Sequence, residues 1–573
     1  VLFLPQEGDP EHHTRLQALV NAGARVGELE EERFLSSRDE AQELLRRGEV
    51  DRVLFDCQEL SLEALEPFAE APLLLGVDTG GEAEGYLDLT LEAIPRLPEE
   101  SRANRKSTGY LTLPEKRRPA WPRRVGRLLV TLGGEDAGGR AASLAGELAA
   151  LFPELEIYHT EGGTVQGPPA TFVGNHEPLR EKLHHFDLVV LHFGMTLFEA
   201  LYARVPVLTL PVTDYHRRLA AVLDLDQPHT VEVESIAPEV GRIVTDPSEV
   251  VERCEKVAPR EKRALEKELS ELSPPRHRNP LRPRGALLDP VEARLEDRSY
   301  YRCSVTGLLY MRRFLPHTIE YTQRYFFEEY KRQYGRTYLE DFDHIRNMAR
   351  PRLRRIKRLL PPGVRPGRPA RRLSRQKGPS LLDVGCAYGP FLAAAGEAGF
   401  DVYGLDVAED AVRHVREKLR LPAAVGSLEH AQTERLFGRS SFEVITMWYV
   451  IEHLPDLEAV LTRVGELLTP GGLFAFATPN GEGISATTNR EQFLRASPED
   501  HLSIWEPSRT AAILQRFDLE VAGITVTGHH PERFPSVRGN PRGLKAALLK
   551  PFLRRLSHLR GLGDTFECYA RAK

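Results

Sequence analysis

The stretch "LLDVGCAYGPFLAAAGEAGFDVYGLDVAEDAV" at 381–412 limits the fold more than any other part of the chain. An apolar run carries Asp383 near its end and runs into a glycine turn. A small-residue helix follows, and a second apolar run closes on Asp406. Unbroken apolar runs on either side of a helix read as neighbouring parallel strands, buried on both faces. The glycine spacing then sets what the turn can hold. A dinucleotide fingerprint, G-x-G-x-x-G, needs a second glycine two residues after the first, so that backbone can approach a pyrophosphate. Here Ala387 occupies that place and the next glycine is Gly389, giving D-x-G-x-x-x-G. Such a turn is wider, with room for an amino-acid tail and not a diphosphate. Asp406, 17 residues beyond Gly389, stands where an acid can accept hydrogen bonds from both hydroxyls of a ribose.

At 573 residues the chain exceeds one hydrophobic core, and its 41% hydrophobic and 28% charged residues are those of a soluble globular protein. A net charge of −6 does not point to nucleic acid as a partner. Five scattered cysteines with no CxxC pair fit a reducing compartment, and no run is apolar enough to span a membrane, so a cytoplasmic location is expected. "VLFLP" reads as a first buried strand. Residues 1–115 and 124–250 each alternate strand and helix signals, separated by the Pro- and Arg-rich "PEKRRPAWPRR". A charged linker is expected at 251–299 and a helical, aromatic-rich cap at 300–360. A basic connector at 361–379 then leads into a last domain at 380–573.

From 300 onward the chain resembles the class I S-adenosylmethionine (SAM) methyltransferases. Beyond the glycine turn and Asp406, "SFEVITMWYVIEHLPDLEAVLTRVGELLTPGGLFAFATPN" is similar to that family's fourth and fifth strands, with E-H-L-P-D and P-G-G in register. The resemblance implies a doubly wound domain that binds SAM. It places Asp383, Gly385, Cys386 and Gly389 at the methionine end, Asp406 and Val407 at the ribose, and Ser427 and Leu428 over the adenine. "YFFEEYKRQYGRTYLEDF" resembles the N-terminal cap of relatives that methylate sugars and surface polysaccharides, which implies Tyr334, with Tyr325, Gly335 and Tyr338, near the methionine or the acceptor. For each of these tyrosines, core filling between helices is the competing role. Cys303 has no second cysteine at ligand spacing, so no metal is expected.

Methyl transfer from a sulfonium needs mainly in-line positioning of the acceptor. A hydroxyl acceptor also needs a base, for which His453 in E-H-L-P-D and His501 in "SPEDHLSIWEP" are the candidates, against a loop-stabilising role for each. The Asn/Asp-Pro-Pro-Tyr signature of amino-group methylation is absent from "MWYVIEHLP", so a sugar or glycan hydroxyl is the expected acceptor, with a small non-sugar metabolite as the alternative.

In the N-terminal half, "LHFGMTLFEALYARVPVLTLP" runs from a strand through Gly194 into a helix with Thr196 and Glu199. Free N–H groups at a helix start suit phosphate, and a glutamate one turn on can reach a ribose. The pattern resembles the second domain of GT-B nucleotide-sugar enzymes, and "LLVTLGGEDAGG" is similar to that domain's first strand, with Gly133 and Gly134 at its cleft. It implies two Rossmann-like domains in a GT-B-like arrangement that take a UDP- or CMP-linked sugar, with His12 and His13 as loose counterparts of the catalytic histidine. A module that binds without turnover is the alternative. Finally, "PRGLKAALLKPFLRRLSHLRG" (541–561) has six Arg/Lys and no acid. It reads first as a helix packed beside the final strand, and second as one lying on an anionic membrane surface.

Overall fold

The computed structural model describes principally residues 52–132, 139–161, 178–210, 213–223, 233–273, 288–315, 330–364, 378–538 and 544–573. His12, His13, Gly133, Gly134, Tyr325 and the side chain of Tyr334 lie outside the described residues. The chain divides into two compact units, 1–272 and 273–573.

The first unit contains two sheets. One is wholly parallel, in the order β1 (Leu2–Pro5), β2 (Arg52–Asp56), β3 (Leu73–Val77), β4 (Leu89–Glu92) and β5 (Arg105–Lys106). The other is built from β6 (Arg127–Thr131), β7 (Glu156–Glu161), β8 (Thr164–Gln166), β9 (Leu188–His192) and β10 (Val207–Leu210), in the order β10-β9-β6-β7-β8. Only β8 is antiparallel there. Helix α1 (Arg140–Leu151) connects β6 to β7 and α2 (Met195–Tyr202) connects β9 to β10. The apolar runs that predicted strands are these strands, and β2, β3, β4, β6, β9 and β10 bury them.

The second unit opens differently from the expected linker and helical cap. Residues 291–313 form an antiparallel hairpin arrangement of β11 (Val291–Arg294), β12 (Arg298–Arg302) and β13 (Leu309–Arg313), which pairs onward with β19 (Ser503–Ile504). Charge density suggested a solvated linker there, but the tyrosines decide. Tyr300 and Tyr301 are fully buried and Tyr301 stacks on Tyr310. Arginines supply the rest: Arg302 forks onto Glu506 at 2.6 and 3.0 Å, and Arg490 reaches the same carboxylate at 3.1 Å. Buried Asp289 accepts from Tyr310 at 2.9 Å and Asn279 at 2.6 Å, so the hairpin is built into the unit from its first residues. Helix comes only later, in the long α3 (Phe342–Leu359).

The main sheet has seven strands: β14 (Ser380–Val384), β15 (Asp401–Asp406), β16 (Ala423–Val425), β17 (Phe442–Trp448), β18 (Leu468–Pro479), β20 (Leu519–Thr527) and β21 (Thr565–Ala572). Their order is β16-β15-β14-β17-β18-β21-β20, with β21 antiparallel to both neighbours. Helices α4 (Pro390–Glu397), α5 (Glu409–His414), α6 (Leu457–Leu467) and α7 (Pro507–Gln515) accompany it. Every residue of β14 is buried. The strand order reverses between β14 and β17, and a crevice at the carboxyl ends of such strands is where ligands bind in open α/β sheets. Among the described residues no helix is long and apolar enough to cross a membrane.

Glu506 is the shared acceptor of two arginines and is largely buried. Glu506→Ala removes one of the two carboxylates those arginines share, leaving Glu292, and is expected to destabilise the second unit by about 1–3 kcal/mol. Urea unfolding followed by tryptophan emission checks this, since two of the chain's three tryptophans, Trp448 and Trp505, belong to that unit.

Candidate active site

The turn after β14 is fixed by left-handed backbone and by two ties to β15. Gly385 (φ +72°), Ala387 (+46°) and Gly389 (+82°) all adopt left-handed conformations. The Gly385 amide donates to the Leu405 carbonyl at 2.7 Å, which ties the turn to β15. A methyl group on Gly385 would lie 2.3 Å from a Val450 methyl, so its backbone stays bare. Asp406, at the tip of β15, accepts from the amides of Ala387 at 2.7 Å and Ala408 at 2.9 Å. Each carboxylate oxygen keeps acceptor capacity beyond one such bond.

Gly385, Cys386, Ala387 and Asp406 line a cavity of about 1480 Å³ at the carboxyl edge of the sheet, together with Val407, Ser427 and Leu428. Tyr338 faces it from the cap. Asp383 is buried and held by the Thr446 hydroxyl at 2.6 Å. Burial pushes its carboxyl up to about 7, the Thr446 bond opposing and Asp406 adding to the rise. Burial likewise raises Asp406, against the two amide bonds. The indole nitrogen of Trp448 is buried without a hydrogen-bond partner while Arg352 stacks 4.3 Å from its ring. A bare backbone turn, two adjacent carboxyl groups and the apolar side chain of Leu428 suit a cationic amino-acid tail joined to a ribose and a base.

Gly389 is set apart from the others. It does not line the cavity; its α-carbon faces Val415 and Leu419, at 2.9 and 2.8 Å from where a β-carbon would be, so it packs the start of α4 against the helical segment Val415–Leu419. In the first unit, Gly194 (φ 173°) caps α2 in extended backbone directly after β9, and Thr196 and Glu199 lie in the first turns of that helix.

The two candidate histidines meet. The rings of His453 and His501 are 4.8 Å apart, edge to face, in the same cavity as Asp383 and Asp406. His453 Nδ1 lies 3.1 Å from an Asp500 carboxylate oxygen and 3.0 Å from the Asp500 carbonyl. Burial pulls the His453 imidazole down, but the Asp500 hydrogen bond and the charges of Glu452 and Asp500 outweigh it and leave it raised. His501 goes the other way: burial, then His453, push it down to about 4. Burial lifts Glu452 to about 7, and its Oε2 has no hydrogen-bond partner. Ligand atoms of Glu452, His453 and His501 lie within 4.8 Å of one another, which is also a donor set for a divalent cation. The expectation of no metal rested on cysteine spacing and does not bear on this trio.

Placement of the trio depends on the hairpin. Met311 donates to the Leu502 carbonyl at 2.8 Å, one residue beyond His501, and Ser503 reaches the Ile451 carbonyl at 3.4 Å. Asp500 was not a candidate on sequence, although "PEDH" sets it beside His501.

Two outcomes follow from the buried groups. Gly385→Ala combines a steric clash with a left-handed backbone and is expected to cost about 1–3 kcal/mol in thermal unfolding. Asp383 and Glu452 have folded values near 7, above their ordinary 3.8 and 4.5, so the stability they contribute is full below about pH 4 and is lost as pH rises through about 7. Asp383→Asn should therefore raise the unfolding free energy at pH 8 by on the order of 1 kcal/mol or more, and flatten its decline between about pH 4 and 7.

Residues 342–523 match a family model described as a methyltransferase domain. The ubiquinone biosynthesis O-methyltransferase of Methylococcus capsulatus is 29% identical over 162 residues, covering 27% of this chain and 68% of the relative. The protein of the same name from Bordetella avium is 29% identical over 176 residues, 29% of this chain and 72% of the relative. A solved SAM-dependent methyltransferase from Archaeoglobus fulgidus is 16% identical, with a TM-score of 0.29, covering 42% of this chain and 98% of its own. The C-terminal part of this protein is a class I S-adenosylmethionine-dependent methyltransferase.

Proposed function

We propose that the second unit transfers the methyl group of SAM to a hydroxyl oxygen, with His453 as the base. The observation that carries this is the His453–Asp500 pair in one cavity with Asp383 and Asp406. In this reading Gly385, Cys386, Asp383 and Tyr338 surround the methionine end, Asp406 and Val407 take the ribose, and Ser427 and Leu428 cover the adenine. SAM supplies a methyl on a sulfonium whose leaving group is neutral, so the chain's task is to orient the acceptor and accept one proton. Asp500 holds Nδ1 of His453 as the donor, which sets the tautomer whose Nε2 lone pair takes the hydroxyl proton. His501, kept neutral by burial, adds no positive charge beside it.

For the acceptor, the relatives' name supports O-methylation, and their being ubiquinone-biosynthesis enzymes favours a phenolic hydroxyl on an apolar body. The resemblance of the N-terminal half supports a sugar hydroxyl instead. We assign that half to nucleotide-sugar binding in a GT-B-like arrangement, on the strength of its parallel sheets and the β9–Gly194–α2 junction. The trio of donors favours a second reading, in which Glu452, His453 and His501 hold a divalent cation that acidifies the acceptor hydroxyl.

SAM at about 100 times its Kd should stabilise the full chain by about 2.7 kcal/mol. Because the cationic donor favours ionised Asp383, its affinity should rise with pH through about 7. His453→Gln is expected to lower kcat about 10²–10⁴-fold with SAM affinity within about threefold of the parent. The acid limb of kcat should lie above the ordinary histidine value and move down in Asp500→Asn. Assays with phenolic and glycosidic acceptors decide between the two classes. Unchanged kcat in His453→Gln removes the base, and loss on dialysis against EDTA with recovery on Mg²⁺ or Zn²⁺ installs the cation in its place.

A further inference from the structure

The second unit carries a face that the methyl-transfer reading does not use. Helix α8 (Leu544–Arg560) lies between β20 and β21. Its inner side is anchored: Leu553 is buried with Ile484, Phe534 and Val537, and Leu549 and Leu556 pack against that cluster. Ser557 is fully buried and meets His529 Nδ1 at 2.7 Å. The outer side is the reverse. Leu548, Phe552 and Leu559 are 73%, 63% and 77% exposed, the highest values for large apolar side chains among the described residues. At about 100° per residue, positions four and eleven apart fall within roughly 40° of one another, so the three form one stripe about 16 Å long.

Charge says what covers the stripe. Arg555 lies beside it, Arg554 about 100° farther round the helix and Arg560 at its end; all three are exposed and form no ion pair among the described residues. Residues 541–561 contain six Arg/Lys and no acid, in a chain whose net charge is −6. A second copy of the helix would bring cations against cations. A nucleic acid would match the arginines and leave the leucines and the phenylalanine in water. A surface that is anionic outside and apolar just beneath satisfies both.

We propose that the outer face of α8 docks on an anionic lipid bilayer, inserting Leu548, Phe552 and Leu559 to the level of the acyl boundary while the arginines engage phosphate headgroups. The helix lies along the surface and does not cross it. Its inner side packs on Ile484 and Phe534, sequence neighbours of the cavity-lining Ser485 and Arg533, so the helix and one layer of side chains stand between the lipid and the cavity wall. This inference is independent of the acceptor and of the base.

The test is co-sedimentation of the full chain with extruded vesicles of phosphatidylcholine alone or with about one-third phosphatidylglycerol. Binding is expected only with the anionic vesicles and should fall at high salt. Leu548→Ser/Phe552→Ser/Leu559→Ser is expected to abolish it. Arg554→Glu/Arg555→Glu should weaken it at least about twenty-fold, since each cation near an anionic surface is worth roughly fivefold. Both variants should keep the parent's SAM-induced thermal shift, because the altered side chains are exposed. The proposal fails if the parent does not sediment with anionic vesicles, if neutral vesicles bind it equally, or if the triple variant binds as the parent does. It also fails if sedimentation equilibrium shows a dimer that the triple variant dissolves, which would give the face to a second copy.

Discussion

Two acidic side chains at the ends of adjacent parallel strands, Asp383 on β14 and Asp406 on β15, set the terms for the rest of the second unit. Both are buried, and both are raised by burial against the hydrogen bonds that hold them. A fold that tolerates this holds open a place for positive charge. The left-handed turn at 385–387 exists to leave that place lined by backbone, and Val450 closes so tightly on Gly385 that no side chain fits. On the reading proposed above, the positive charge of SAM and these two raised acids are two halves of one electrostatic arrangement.

At the other side of the cavity the same principle works with opposite sign. Three ionisable groups are buried together, and their environments drive them apart: His453 up, His501 down, Glu452 up. Pairs of groups whose surroundings separate their protonation states are how a site assigns acid and base roles at neutral pH. Asp500 makes the difference between the two histidines, because it bonds only one of them through its side chain.

Much of this was legible in the amino-acid order. The apolar runs at 381–384 and 401–405 are β14 and β15, and the spacing from Gly385 to Gly389 excluded a diphosphate cradle before any geometry was known. His453 and His501, 48 positions apart, were singled out separately and prove to be neighbours. What stayed hidden was hidden for physical reasons. Gly389 looks like a ligand-binding glycine because packing against Val415 and Leu419 makes the same demand for a missing β-carbon. The strands at 291–313 were masked by arginine and glutamate, whose charges satisfy each other across the sheet instead of facing water. Asp500 carried no motif, since a pairing made by a loop folding back leaves no periodic trace.

The hairpin at 291–313 also redraws where this catalytic unit begins. Its last strand supplies the hydrogen-bonding edge on which Leu502–Ile504 lie, and its arginine shares Glu506 with Arg490. Any fragment cut at the start of the helical cap would therefore keep the turn at 385–387 and Asp406 yet lose the brace behind the second histidine. If His453 is the base, as proposed, such a fragment would hold its donor while misaligning that base: a receptor in place of an enzyme. Evolution, or an engineer, could detach binding from turnover in this scaffold by moving a single boundary some fifty residues upstream of the main sheet.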